Sequence, residues 1–417
     1  MIYVFIVFFT LVCLGLLKKK YPLNHPHFII LSFVFLYTVL AYFHSLGPLF
    51  GVFPADLSLT KNMEIAEIRI TISLIFILTF YAYILFSNRN LYLVNFEEYE
   101  PNKSFYIEDK SKSLLKISKF GFISLYPLAL YLSYVYSWQD IWNNDFSLGH
   151  SLAAQMKNLL LVMFSFIVLY DRKKIIFLFL ILYIFLAIID TQRTNLFIAL
   201  LMIFFRFRFQ VLTIFIFGTL SLLLLSWIAF SRLQLEMSFG LFLFPFVAES
   251  VFGSYSLSQS ILINQISDLT LLDRFYFLIS IPIETFLIFF RDIFLVLFNI
   301  SFSSGIESVA NTFFENGILE ENYSPMGGSY FIAEYNLIFP FFGASLACFI
   351  YMFCLKSFLR FGNSSLALLL ISSIPIMIKA TPFNYLKYII AISLIYLLFV
   401  TACFYLHDSF NKNIKNN

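Results

Sequence analysis

Charge is what this chain has least of. Only 12% of its 417 residues are Asp, Glu, Lys or Arg and 60% are hydrophobic, whereas soluble domains run at roughly 25% charged and 45 to 50% apolar. A water-soluble fold has no means of hiding that much apolar surface. Cysteine is scarce too. Cys13, Cys348, Cys354 and Cys403 lie inside or at the ends of apolar runs, without the CxxC or CxxxC spacing of a metal or redox pair, and read as small membrane hydrophobes. There is no P-loop, no GxGxxG and no basic stripe, which argues against a cytoplasmic ATP or nucleotide-sugar enzyme and against a nucleic-acid partner. Of the five histidines only His44 and His150 fall on the expected outer side. Neither stands in an HExxH or triad-like context, and both are read as incidental. No internal repeat appears, so the inverted-repeat signature of many transporters is missing.

What the chain has in excess is apolar length and aromatic bulk, with 20% aromatic residues and 57 Phe. About 20 apolar residues span a bilayer. Eleven stretches qualify, some with help from their flanks: 2–17, 28–43, 67–86, 120–136, 153–170, 175–190, 195–205, 211–229, 331–355, 364–378 and 387–405. The expected fold class is therefore an all-α polytopic membrane protein with about 11 transmembrane helices, residues 1–417 forming a single transmembrane domain. The first apolar run precedes its positive cluster Lys18, Lys19 and Lys20. A signal peptide begins with the positive charge, so the run reads as a retained span.

Placing the N-terminus outside puts Lys18 to Lys20, Arg89 to Lys119, Arg172 to Lys174, Arg206 with Arg208, Lys356 with Arg360, and Lys412 with Lys415 inside. That collects 18 of the 27 Lys and Arg residues, as the positive-inside bias requires. The mixed-charge inner loop 87–119 reads as a solvated surface. The large outer loop, residues 230–330, is the longest connection, and long loops are usually functional. Its apolar stretches Phe239 to Val247 and Phe275 to Ile300 are expected to form interfacial or re-entrant helices.

Ionisable residues on the outer side, or inside spans, are expensive to keep and so are the candidates for function. The outward set is Lys61, Arg69, Lys157, Arg193, Arg232, Arg274, Arg291, Lys379 and Lys387. Arg193, in the tight connection Asp190-Thr-Gln-Arg-Thr-Asn195, either offers a planar fork to a diphosphate at headgroup level, pairs with Asp190, or snorkels. Arg232, just after the eighth span, has a matching depth. Glu249 is a lone carboxylate between apolar stretches of Pro245 to Tyr255. It is either a general base or a structural partner of a nearby Arg. Glu284 and Arg291 share one face of a possible helix after Pro282 and read as a structural pair. The run Ser324-Pro-Met-Gly-Gly-Ser-Tyr-Phe-Ile-Ala-Glu334-Tyr-Asn336 opens the ninth span. Its glycines allow close approach to a ligand, Ser329 can cap the helix, and the helix start favours an anion. An ordinary helix start accounts for the glycines and the serine, but less well for Glu334 inside the membrane.

The residues from Gly327 to Gly343, Gly-Gly-Ser-Tyr-Phe-Ile-Ala-Glu-Tyr-Asn-Leu-Ile-Phe-Pro-Phe-Phe-Gly, resemble the small-residue, acidic and Asn/Phe-Gly pattern of the Wzy-type O-antigen (oligosaccharide repeat-unit) polymerases. The Gln192-Arg193-Thr194 turn, the many Phe-, Leu- and Ile-rich spans and the single late outer loop are similar to that family as well. The resemblance implies a GT-C-like membrane glycosyltransferase of lipopolysaccharide or capsular polysaccharide biosynthesis in the bacterial inner membrane. Its active site would lie on the periplasmic side and its substrate would be an undecaprenyl-diphosphate-linked oligosaccharide. A chain-length regulator of the Wzz type is an implied partner, and no cofactor or metal is expected. A diphosphate leaving group would then call for Arg193, Arg232 and Arg274 as electrostatic clamps, and the acceptor hydroxyl for a base, Glu249 or Glu334. Tyr255 and Tyr330 either line a sugar groove or belong to the aromatic belts. The rival expectations are an O-antigen ligase, disfavoured because loop 230–330 contains no His, and a lipid-linked oligosaccharide flippase, disfavoured because the central spans are almost charge-free.

Overall fold

The computed structural model describes residues 2–21, 23, 25–45, 63–86, 105–136, 148–190, 193–207, 216, 218–221, 223–225, 227–228, 244–266, 270, 272–273, 330–362, 364–379 and 382–415. Among them every regular element is an α-helix and no strand occurs. In chain order the helices are α1 (Ile2–Lys20), α2 (Pro26–Ser45), α3 (Met63–Phe86), α4 (Phe105–Val135), α5 (Leu148–Tyr170), α6 (Lys173–Asp190), α7 (Arg193–Arg206), α8 (Phe244–Ile266), α9 (Phe331–Ile338), α10 (Phe342–Leu359), α11 (Ser365–Ser373), α12 (Ile376–Lys379) and α13 (Pro382–Lys415). A helix satisfies its own backbone hydrogen bonds, which is the requirement that apolar surroundings impose.

Five of these helices are long and apolar enough to cross a membrane, over Glu64–Phe86, Lys112–Val135, Gly149–Tyr170, Phe342–Leu359 and Tyr385–Tyr405. They coincide with expected spans at 67–86, 120–136, 153–170, part of 331–355, and 387–405. Shorter apolar helices at Pro26–Phe35, Thr194–Arg206 and Ser365–Ile378 stand where three further spans were expected. Large apolar side chains point outward, among them Phe120 at 75% exposure and Phe353 and Leu398 at 71%. Such a surface suits lipid and not water. The chain is an α-helical membrane protein.

Two compact units are built from segments distant in sequence. The first takes residues 1–93, 238–357 and 374–387, and in it α8 packs on α2, α3 and α9 while α1 packs on α2 and α3. Lys20 at the end of α1 donates to the carbonyls of Ile84 and Leu85, satisfying acceptors that the last turn of α3 leaves open. The second takes residues 94–237, 358–373 and 388–417, with α5 at its centre against α4, α6, α7 and α11.

One expectation needs correction. The run 331–355 is not one continuous span, because it breaks between α9 and α10. Pro340 disfavours helical geometry in the preceding residue, and Phe339 is extended at φ −132°, ψ 96°. Phe341 then takes a left-handed φ of 63°, a conformation that costs a bulky residue roughly 1 to 2 kcal/mol. Gly343 closes the turn against the Tyr335 carbonyl oxygen, where a Cβ would stand at 2.1 Å. The stretch Pro245 to Tyr255 that carries Glu249 is helical. It belongs to α8, a helix of 23 residues inside the expected outer loop, with Pro245 in the first turn where its missing N–H costs no bond.

Gly343→Ala is expected to destabilise the protein by about 2 to 3 kcal/mol, lowering its thermal unfolding midpoint in detergent. Gly15→Ala, whose Cβ would meet nothing within 4 Å, is expected to leave the midpoint unchanged or slightly raised.

Candidate functional site

A chain so apolar gathers polar side chains in its interior only where each can be satisfied. In the first unit such a seam runs where α3, α8 and α9 meet. Helix α8 supplies Ser256, Ser258, Gln259 and Ser260, all buried, and α9 supplies Glu334 and Asn336, each only 2% exposed. From α3, Arg69 is 3% exposed and its Nη1 donates to Ser258 Oγ at 3.1 Å.

Helices α8 and α9 are joined along matched faces. Gly253, Leu257, Ser260 and Asn264 follow one another at helical spacing and form a single stripe. Asn336 Nδ2 donates to Ser260 Oγ at 3.0 Å, and Asn264 Nδ2 donates to the Asn336 carbonyl at 2.9 Å. At the other end of the stripe Gly253 lets the Tyr37 ring approach, since a Cβ there would stand 2.4 Å from it. Tyr37 in turn stacks on Tyr330, with centroids 5.2 Å apart and planes 14° from parallel. Phe331 meets Phe76 of α3 edge to face at 5.6 Å, and Phe76 lies on the same stripe of α3 as Arg69 and Ser73.

The expected site residues divide as follows. Glu334, Tyr255 and Tyr330 all belong to the first unit and are all buried. The two tyrosines are interior residues and not members of an interfacial belt. Glu249 lies on the second turn of α8, with its side chain outside the described residues. Arg193 is the first residue of α7 in the second unit, its side chain likewise outside. Arg232, Arg274 and Ser329 lie outside the described residues. The N-cap of α9 is Tyr330, which makes no side-chain cap bond.

The sequence reading missed the polar cluster of the second unit. Lys157, a member of the expected outward set, is buried in α5 and pairs with Asp190 at 2.6 Å, the side chains being 7% and 2% exposed. Asp190 therefore has Lys157 as an ionic partner, where the sequence offered only Arg193. Tyr183 Oη donates to the Lys157 carbonyl at 3.2 Å, and Asn195 Nδ2 donates to Asn158 Oδ1 at 3.3 Å. The central spans are thus not as free of charge as expected. A third cluster, also unforeseen, places His27 Nδ1 2.7 Å from Tyr351 Oη, with His25 and Tyr21 against the His27 ring. His150 is buried beside Tyr136. Among the described residues no group of three or more His, Cys, Asp and Glu is placed to hold a metal ion.

Comparison with protein-family models, curated proteins and solved structures finds no match for this chain.

Removing one partner of a buried ion pair strands the other charge, at a cost of about 3 to 5 kcal/mol. Lys157→Ala is therefore expected to reduce the amount of folded protein in the membrane sharply. A Lys157→Met, Asp190→Leu double variant is expected to recover most of it, as read by thermal midpoint and membrane abundance.

Proposed function

We propose that this chain is a membrane glycosyltransferase that polymerises undecaprenyl-diphosphate-linked oligosaccharide repeat units at the outer face of a bacterial inner membrane. The reading rests on the Wzy-type resemblance of the Gly327 to Gly343 run. The observation that carries it is Glu334 of that run, buried in a short half-helix whose neighbour α8 is lined with hydroxyl and amide side chains. A carboxylate in that setting is suited to accept a proton, and hydroxyls and amides are the groups that hydrogen-bond sugars.

In the proposed reaction an acceptor sugar hydroxyl attacks the anomeric carbon of the donor chain. The new glycosidic C–O bond forms as the bond to undecaprenyl diphosphate breaks. The hydroxyl proton passes to Glu334, or to Glu249 as the other carboxylate on these elements, and the departing diphosphate takes the electron pair. Arg193, Arg232 and Arg274 are proposed to steady its charge. The eleven-span, N-out topology and the periplasmic position of loop 230–330 belong to the same proposal, as does a Wzz-type partner. One observation favours a second reading. The buried Lys157–Asp190 pair is the kind of intramembrane charge found along transport pathways, so a flippase of lipid-linked oligosaccharide is the alternative.

Deletion of the gene separates the two. A polymerase defect leaves surface glycan capped with a single repeat unit, whereas loss of all surface glycan would favour the flippase or a ligase. In the complemented strain Glu334→Gln and Arg193→Ala are each expected to shorten the ladder at unchanged membrane abundance. Full-length ladders from both variants would sink this site.

A further inference from the structure

Helix α9 has eight residues, too few to hold a fixed direction without external ties. Its C-terminal end faces the most strained turn among the described residues, with Phe341 at a φ of 63°. The break also opens the helix ladder. Asn336 closes it with both ends of one side chain and with its own backbone. Its Oδ1 accepts from the Phe341 N–H at 3.0 Å, its Nδ2 donates to Ser260 Oγ at 3.0 Å, and its carbonyl, one of the last four of α9, accepts from Asn264 Nδ2 at 2.9 Å. Ser260 and Asn264 are four residues apart on α8, so they share one face. Asn336 therefore fixes the strained turn and bolts it to a 23-residue helix.

Glu334 precedes Asn336 by two residues, so the two side chains leave α9 on nearly opposite sides. With Asn336 held on α8, rotation of α9 about its axis is blocked, and Glu334 is carried on the side away from that contact. The face it occupies also holds Phe331, which meets Phe76 on the Arg69 stripe of α3. A buried carboxylate on one and a half to two turns of helix is only as well aimed as the bolt that stops the helix turning.

We propose that Asn336 is a positioning residue that aims Glu334 by locking the turn between α9 and α10, an inference that rests on the role given to Glu334 above. The test uses the full-length protein in lipid nanodiscs, with hydrogen–deuterium exchange of the segment 331–345, beside the glycan ladders of complemented strains. Asn336→Ala should accelerate exchange in that segment about tenfold, the consequence of losing a backbone tie. It should also shorten the ladder as far as Glu334→Gln does, and the double variant should be no shorter than Glu334→Gln alone. Asn336→Asp keeps an acceptor for the Phe341 N–H but loses the Nδ2 bond to Ser260 and buries a charge, so it should not restore the ladder.

Accelerated exchange with a full ladder in Asn336→Ala would overturn the proposal, as would unchanged exchange or a double variant shorter than Glu334→Gln. A shortened ladder from Asn336→Ala beside a full one from Glu334→Gln overturns it too, because Asn336 then acts without Glu334. If Asn336→Ala fails to reach the membrane, Ser260→Ala removes the partner of Nδ2, together with the bond from Ser260 Oγ to the Leu257 carbonyl of its own helix, and carries the same comparison. If deletion of the gene leaves the ladder untouched, the polymerase reading falls alone, and the exchange measurement still decides whether Asn336 locks the turn.

Discussion

Inside an apolar chain every backbone N–H and C=O must find its partner within the protein, since no solvent offers one. A continuous helix meets this demand without help from its side chains. Where the helix stops, side chains have to take over, and the break at Phe339 to Phe341 is where the first unit does so. Asn336 accepts from the Phe341 N–H and Asn264 donates to the Asn336 carbonyl, Ser260 holds the Asn336 side chain in place, and Gly343 lets the returning backbone close on the Tyr335 carbonyl. The same demand explains why Lys20 reaches the last carbonyls of α3. Irregular backbone in such surroundings survives only where it is covered and bonded, so the turn, the seam of serines on α8 and the position of Glu334 form one structural problem with one solution.

Each unit holds its own polar interior. In the first, along α3, α8 and α9, the buried polar side chains that the structure describes are mostly hydroxyls and amides, with Arg69 and Glu334 among them. In the second it is an ion pair, Lys157 with Asp190, backed by the Tyr183 hydroxyl and the Asn158–Asn195 amide contact. The seam is where the proposed polyhydroxylated substrate would find many weak directional bonds. The ion pair holds α5 to α6 beside the turn from which Arg193 starts α7.

Much of this architecture was legible in the sequence, because long apolar runs at 67–86, 120–136, 153–170 and 387–405 leave little choice but a helix. The break within 331–355 was not read, although Pro340 and Gly343 announce it. Hydropathy counts Pro340 and its Phe neighbours as a continuation of the span. Helix α8 was concealed differently. Its Ser, Gln and Asn residues lower its hydropathy, and its helicity becomes plain only once Gly253, Leu257, Ser260 and Asn264 are seen as one stripe against α9. The Lys157–Asp190 pair joins residues 33 positions apart that the expected topology already placed on one side of the membrane in successive spans, so it was readable in principle. The contact of Arg69 with Ser258 spans 189 positions and was not. Glu334 was found because a carboxylate within an apolar run is conspicuous.

The activity proposed for this protein is the making of a glycosidic bond, not merely the movement of its substrate. Purified protein in vesicles, given one defined undecaprenyl-diphosphate-linked repeat unit, tests it most directly by mass spectrometry of the lipid extract. The account predicts lipid-linked products of two or more joined units, with one free undecaprenyl diphosphate released for each new bond. Substrate that changes leaflet yet is recovered intact would contradict it.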